Sequence, residues 1–85
     1  MKLNLTKPLI VFDLETTGLD LVNDRIIQLS YIKVFPDGKE ERGDQFFNPG
    51  KTIPTEVSQL TAITDDSVKD APTFYVLAPS LIEKF

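Results

Sequence analysis

The stretch Leu9-Ile10-Val11-Phe12-Asp13-Leu14-Glu15-Thr16-Thr17-Gly18-Leu19 sets an apolar run against a polar segment closed by glycine, with two acids at the junction. Residues 9–12 are aliphatic, β-branched or aromatic and lie between Pro8 and Gly18, which predicts a buried strand. On a strand, side chains two residues apart point to the same face, so Asp13 and Glu15 leave the end of that strand side by side. Two like charges that close repel each other unless a cation neutralises them. A hard divalent ion with oxygen ligands does so economically. Two acids on a solvated strand end, with no ligand at all, are the plainer alternative.

Outward from this stretch, residues 18–24 read as a loop, and residues 25–35 as a second strand rich in Ile, Leu, Tyr and Val. Alternation assigns Ile26, Gln28, Ser30, Ile32 and Val34 to one face of it, and Ile27, Leu29, Tyr31, Lys33 and Phe35 to the other, more apolar face. Pro36-Asp37-Gly38-Lys39 predicts a hairpin turn, with Pro where φ is fixed and Gly where φ is positive. Residues 40–47 then return antiparallel as a polar strand whose charges suit a sheet edge. A short helix over 56–60 with Thr55 as N-cap follows, then a turn of helix at 65–68 capped by Thr64. Pro72-Thr73 opens a last helix, on which Phe74, Leu77, Ala78, Leu81, Ile82 and Phe85 recur at helical spacing. Pro79 either kinks this helix or marks its first turn after a looser 74–78.

Eighty-five residues make one small domain at most. Without cysteine, disulfides and thiolate metal sites are excluded, a composition that suits a reducing cytoplasm. The longest apolar run is far too short to span a bilayer, and Lys2 and Lys7 flank no signal-peptide pattern. Thirteen acidic against nine basic residues give a net charge of −4, which argues against binding nucleic acid mainly through phosphate contacts. Bound metal ions can supply the missing positive charge locally. Histidine is absent, so any imidazole chemistry must come from outside these residues.

Val11-Phe12-Asp13-Leu14-Glu15-Thr16-Thr17-Gly18-Leu19-Asp20 resembles the first motif of the DEDD 3′-to-5′ exonucleases, and looks like the subgroup of the proofreading epsilon chain of bacterial DNA polymerase III. The likeness continues through Asp24-Arg25-Ile26-Ile27-Gln28-Leu29, Phe47-Asn48-Pro49-Gly50, Ile53-Pro54, and the run from Ile63-Thr64-Asp65-Asp66-Ser67 to Phe74. Asp-x-Glu alone is a weak signal; with Thr-Thr-Gly-Leu and the later blocks in order it is specific. The resemblance implies an α/β (α+β) ribonuclease-H-like fold, here a three-stranded antiparallel meander followed by short helices and one longer C-terminal helix. It implies metal-dependent hydrolysis at single-stranded or frayed 3′ ends of nucleic acid, DNA in a proofreading or repair role, with a DNA polymerase subunit as partner. Members hold two divalent ions, Mg²⁺ or Mn²⁺, with four acids. Carried over by position, Asp13 bridges both ions and Glu15 binds one. Thr16, Thr17, Gly18 and Leu19 become the expected substrate-binding residues. Thr16 offers its backbone N–H to the 3′-hydroxyl, Gly18 allows a sharp turn, and Leu19 wedges against the terminal base. Plain turn chemistry is the competing explanation of Thr16, Thr17 and Gly18, and a core position that of Leu19.

Two departures qualify the likeness. Where family members often carry His-Gly, this chain has Thr61-Ala62, on an element expected at the surface. The family's other two aspartates and its general-base histidine or tyrosine belong beyond the equivalent of Phe85; Tyr31 and Tyr75 fall in the wrong blocks. Helix capping accounts better than metal binding for Asp65, Asp66 and Asp70. The last helix also stops at Phe85 with its apolar face still running. Residues 1–85 therefore read as the N-terminal part of a single exonuclease domain, with weak metal binding and no nuclease activity alone. An exposed hydrophobic edge on the first strand is expected to make such a piece dimerise or aggregate. A naturally short, non-catalytic binding or regulatory module of the same fold is the alternative, and a third reading leaves Asp13 and Glu15 solvated and functionless.

Overall fold

A computed structural model describes residues 4–20 and 22–85; Lys2 and Leu21 lie outside the described residues. Strands β1 (Leu9–Thr16), β2 (Ile26–Val34) and β3 (Glu40–Phe46) form one antiparallel sheet in the order β1-β2-β3. Helices α1 (Thr55–Thr61), α2 (Asp65–Val68) and α3 (Phe74–Lys84) follow. The meander-then-helices architecture is the expected one, and the strand boundaries of β2 and β3 fall within a residue of expectation.

β1 departs from expectation in two ways. It runs on through Thr16, so Asp13 and Glu15 stand within the strand and not at its end. Nor is it buried: Val11 is 52% and Phe12 58% exposed. Among the described residues only β2 pairs with it, so its other edge and much of its apolar surface meet water.

The register explains which side chains share a face. Asp13 lies opposite Ser30, Leu14 opposite Leu29 and Glu15 opposite Gln28, after which the pairing jumps to Thr16 opposite Ile26. Ile27 is the extra residue of this β-bulge. The simple alternation expected along β2 therefore fails at its first two residues. Ile26 joins the cluster of Leu29, Tyr31 and Phe47, while Ile27 joins Ile53, Ile63 and Val68. From Gln28 onward the alternation holds.

Two small cores result. Ile27, Ile53, Ile63 and Val68, with Val57 beside them, tie α1 and α2 to the start of β2. Leu29, Tyr31 and Phe47 receive Leu77 and Leu81 of α3, with Phe47 and Phe74 edge to face at 5.3 Å. Tyr31 lies against Gly43 of β3, where an added Cβ would come 2.2 Å from the ring, so only glycine admits the aromatic there. At the far end of α3, Lys84 Nζ donates to Tyr31 Oη at 3.4 Å and sits 3.7 Å from Glu41. The hydrogen bond to Tyr31, first, and the charge nearby hold that ammonium above its ordinary pKa.

Local chemistry sets the connections. Gly38 N–H donates to Phe35 O at 2.9 Å and has φ +89°, completing the expected turn with Pro36 at its second position. Thr64 caps α2 reciprocally with Ser67, and the Thr73 hydroxyl accepts from Val76 N–H at the start of α3. Thr55 is not a cap; Pro54 holds that position without a side-chain bond, and Thr55 is the first helical residue. Pro79 lies inside α3, which continues through it, so the carbonyl of Tyr75 four residues earlier has no N–H to receive. Leu77, Ala78 and Leu81 pack as expected of the apolar face, whereas Ile82 is mostly exposed.

Ala62 ends α1 in the left-handed conformation, φ +63°, with its N–H bonded to Ser58 O. A Cβ is costly there, and glycine is the usual occupant. Replacing Ala62 with glycine is accordingly expected to raise unfolding free energy by roughly 0.5–1 kcal/mol, the relief of strain being partly offset by unfolded-state entropy. Urea unfolding of the two forms measures it; a less stable Ala62→Gly form contradicts the assignment of that cap.

Candidate functional site

The face of the sheet turned away from α3 carries Asp13 and Glu15 of β1, Gln28 and Ser30 of β2 and Asp44 of β3. Asp13 faces Ser30, Ser30 faces Asp44, and Glu15 faces Gln28. Asp44 Oδ1 accepts from Gln28 Nε2 at 2.8 Å and from Ser30 Oγ at 3.3 Å. Those two neutral donors are thus turned toward β3 and away from the acids of β1. Among the described residues, no ion pair or side-chain hydrogen bond engages Asp13 or Glu15. Carboxylates two residues apart on one strand face are hard oxygen donors of the kind that fit a divalent cation. They make only part of a ligand set, since the described residues contain no group of three or more acids, histidines or cysteines able to hold a metal. The sequence reading placed β3 only as a polar edge; counting alternate residues across the hairpin would have put Asp44 on this face.

Immediately beyond Glu15 the chain bulges and enters the loop that returns to β2. Thr17 is 1% exposed, its N–H donates to Arg25 O at 2.9 Å, and its hydroxyl donates to Asp24 Oδ1 at 2.7 Å. The same hydroxyl oxygen accepts from Arg25 N–H at 2.9 Å, so Thr17 is committed on every side to holding the loop. Thr16 Oγ1 donates to Gly18 O at 2.6 Å. The sharp turn attributed to Gly18 is not what requires glycine, because its φ is not positive. An added Cβ would sit 2.5 Å from Asp24 Oδ2 and 2.9 Å from Cγ, so glycine is needed to let that carboxylate close in. Leu19 is 98% exposed, which excludes a core position for it.

Asp20 and Asp24 brace this loop from the other side. Asp20 accepts from Asn23 Nδ2 at 2.8 Å, from Val22 N–H at 2.9 Å and from Asn23 N–H at 3.2 Å; the Asn23 side chain, first, holds its carboxyl below the ordinary range. Asp24 is held low chiefly by the Thr17 hydroxyl and then by the Asp20 N–H. Elsewhere, Asp65 accepts from Ile53 N–H at 2.8 Å and Asp66 pairs with Lys69 at 3.2 Å; both stand in the first turn of α2, but neither bond is a cap, which Thr64 supplies.

The family model for exonucleases matches residues 10–84. Among curated proteins, the PolC-type DNA polymerase III of Lactococcus lactis is 41% identical over 66 residues, 78% of this chain and 4% of that protein. The PolC-type polymerase of Caldanaerobacter subterraneus is 36% identical over 74 residues, 87% of this chain and 5% of that protein. The chain thus spans only a small part of the length of these relatives. Among solved structures, a full-length 3′-exonuclease superposes with TM-score 0.75 at 21% identity, over 91% of this chain and 28% of that one. E. coli exonuclease I in complex with a dA16 oligonucleotide gives 0.76 at 17% identity, over 92% and 18%. At such identities the likeness is one of fold, and that fold is ribonuclease-H-like. Among the described residues, no helix is long and apolar enough to cross a membrane.

Both loop carboxylates have folded-state pKa values lowered from the ordinary one. Their contribution to stability is therefore complete above about pH 4 and fades as pH falls through the lower folded-state values. Amide resonances of residues 18–25 are expected to hold their positions from pH 7 to about pH 4 and to move below it. A loop that rearranges between pH 5 and pH 7 contradicts this bracing.

Proposed function

The chain belongs to the exonuclease family, and on that premise we propose that it forms the front part of a metal-dependent 3′-to-5′ exonuclease domain acting on the 3′ ends of DNA. The observation that carries this reading is the pair Asp13 and Glu15, on one polar face of β1 and without a cationic partner among the described residues. In the complete domain Asp13 and Glu15 would be the residues of this chain that hold the divalent ions, Mg²⁺ or Mn²⁺. Such ions, when bound, activate the attacking water and offset charge building on the phosphodiester. The chain's own residues orient the strand end: Thr16 presents its backbone N–H to the terminal hydroxyl, and Leu19 packs against the terminal base. An exposed leucine reads stacking surface and not sequence, which suits an enzyme that must accept any nucleotide. The likeness to PolC-type polymerases supports a polymerase as the working partner. The unpaired edge of β1, with Val11 and Phe12 beside it, supports self-association of the isolated chain.

Calorimetric titration with Mn²⁺ tests the metal assignment. Weak binding is expected for the unsubstituted chain and none for Asp13→Asn or Glu15→Gln; identical heats from all three overturn it. Because half the ligand set is lacking, the pure 85-residue chain is expected to release no nucleotides from a 3′-labelled oligonucleotide. Release that Asp13→Ala abolishes would show that two acids suffice. Sedimentation velocity is expected to show a sedimentation coefficient rising with concentration, and a single monomeric boundary throughout would rule out pairing through β1.

A further inference from the structure

Leu19 poses a physical question that the stability of the fold does not answer. A leucine side chain 98% exposed gains nothing from burial, yet the residues on both sides of it are fixed. Gly18 O accepts from Thr16 Oγ1 at 2.6 Å, and Asp20 is held by Asp24, whose Oδ2 accepts from the Asp20 N–H at 2.8 Å. Asp24 Oδ2 also lies only 2.5 Å from where a Cβ on Gly18 would stand, so the carboxylate closes in over the glycine. Asp24 N–H in turn donates to Asp20 O at 2.9 Å, closing a ring around the loop tip.

The same carboxylate reaches three further parts of the chain. Oδ1 accepts from the buried Thr17 hydroxyl at 2.7 Å, and through Thr17 it is joined to Arg25 at the entrance of β2. Lys51, on the segment after β3, brings Nζ to 3.4 Å from Oδ1 and donates to Asn23 O at 3.2 Å. Asp24 is thus a hub between the end of β1, the loop tip, the start of β2 and the segment after β3, and its side chain is only 16% exposed. The connection it braces, residues 17–25, is too long for turn geometry alone to fix it. What the hub achieves is to hold an apolar side chain out in water at a fixed place, one bulge beyond Glu15.

We propose that Asp24 is a positioning residue, whose carboxylate ties the Asp20 N–H to the Thr17 hydroxyl across the loop so that Leu19 is presented to the terminal base of a nucleic-acid 3′ end. This rests on the exonuclease reading and adds to it a residue that touches neither metal nor substrate. Pre-ordering matters here because a loose loop would have to be immobilised at the moment of binding, at a cost in affinity. Asparagine at position 24 cannot replace the carboxylate. Its oxygen serves one of the two donors, Thr17 Oγ1 or Asp20 N–H, and its NH₂ group then faces the other.

The test has a structural and a functional arm, both on the 85-residue chain. In Asp24→Asn, hydrogen exchange at the Asp20 amide is expected to rise about tenfold or more, while β2 amides such as that of Leu29 keep their rates. Thr17→Ser, which keeps the hydroxyl, is expected to behave as the unsubstituted chain, and Thr17→Val as Asp24→Asn. The functional arm follows binding of a single-stranded oligothymidylate with a free 3′-hydroxyl, in Mn²⁺, by chemical-shift titration. Asp24→Asn is expected to weaken binding about fivefold, and to have no further effect in a Leu19→Ala background. An equal loss in both backgrounds, or unchanged exchange at Asp20, overturns the positioning role and leaves the exonuclease reading standing. No binding by the unsubstituted chain overturns the positioning role together with the proposal that Thr16 and Leu19 engage a 3′ end, and leaves the family assignment standing.

Discussion

Antiparallel pairing of β1 with β2 is the constraint on which the rest depends. Opposition of Asp13 to Ser30 and of Glu15 to Gln28 puts both acids on the face away from α3, with neutral neighbours across the strand. Had the register slipped by one residue, those acids would lie under α3, and Phe12 and Leu14 would face the polar side. The apolar residues therefore enforce the geometry of the polar ones: Leu14 opposite Leu29 and Phe12 opposite Tyr31 on one face oblige Asp13 and Glu15 to share the other. The bulge that follows ends this strict alternation. It sends Ile27 to the core made by α1 and α2, and it opens the way into the loop braced by Asp24.

Economy of core has a visible consequence. Few side chains are fully buried, Phe47, Ile27 and Thr17 among them, and α3 has no buried residue at all. Between β1 and α3 lies an open groove of about 520 Å³ lined by Phe12, Leu14, Leu29, Leu81 and Phe85. β3 at the opposite edge is polar, with Glu40, Glu41, Arg42 and Asp44 along it, and so resists further pairing. The two edges of one small sheet thus have opposite characters, the strand that carries Asp13 and Glu15 being the apolar and unprotected one.

Most of the architecture was legible because it is written in short-range chemistry. Pro36 and Gly38 specify the turn, Thr64 and Thr73 the helix starts, and alternation the β2 face that meets α3. The misses share a cause, which is that they depend on partners distant in sequence. Burial of β1 is decided by how many strands flank it, not by its own composition. The bulge at Ile27 is invisible to period counting. Gly18 was read as a turn residue because glycine so often is one, whereas its reason is the carboxylate of Asp24 six residues on. Likewise the hydroxyl of Thr17 was legible as polar and near the acids, but not as a buried strut. Of the candidate site, the acids were visible from their spacing and their neighbours; Asp44 and Asp24, which come from β3 and from the β2 side of the loop, were not.

The central claim is that Asp13 and Glu15 are kept together to hold a cation and not to support the fold. Thermal unfolding of the unsubstituted chain and of Glu15→Gln, each with and without excess Mn²⁺, tests it most directly, because a ligand bound only by the folded state raises Tm. On this reading Mn²⁺ raises Tm of the unsubstituted chain and leaves that of Glu15→Gln unmoved. Without metal the variant is then at least as stable, one of two neighbouring like charges having been removed. An equal response to Mn²⁺ in both forms, or a metal-free variant that unfolds at clearly lower temperature, would contradict it.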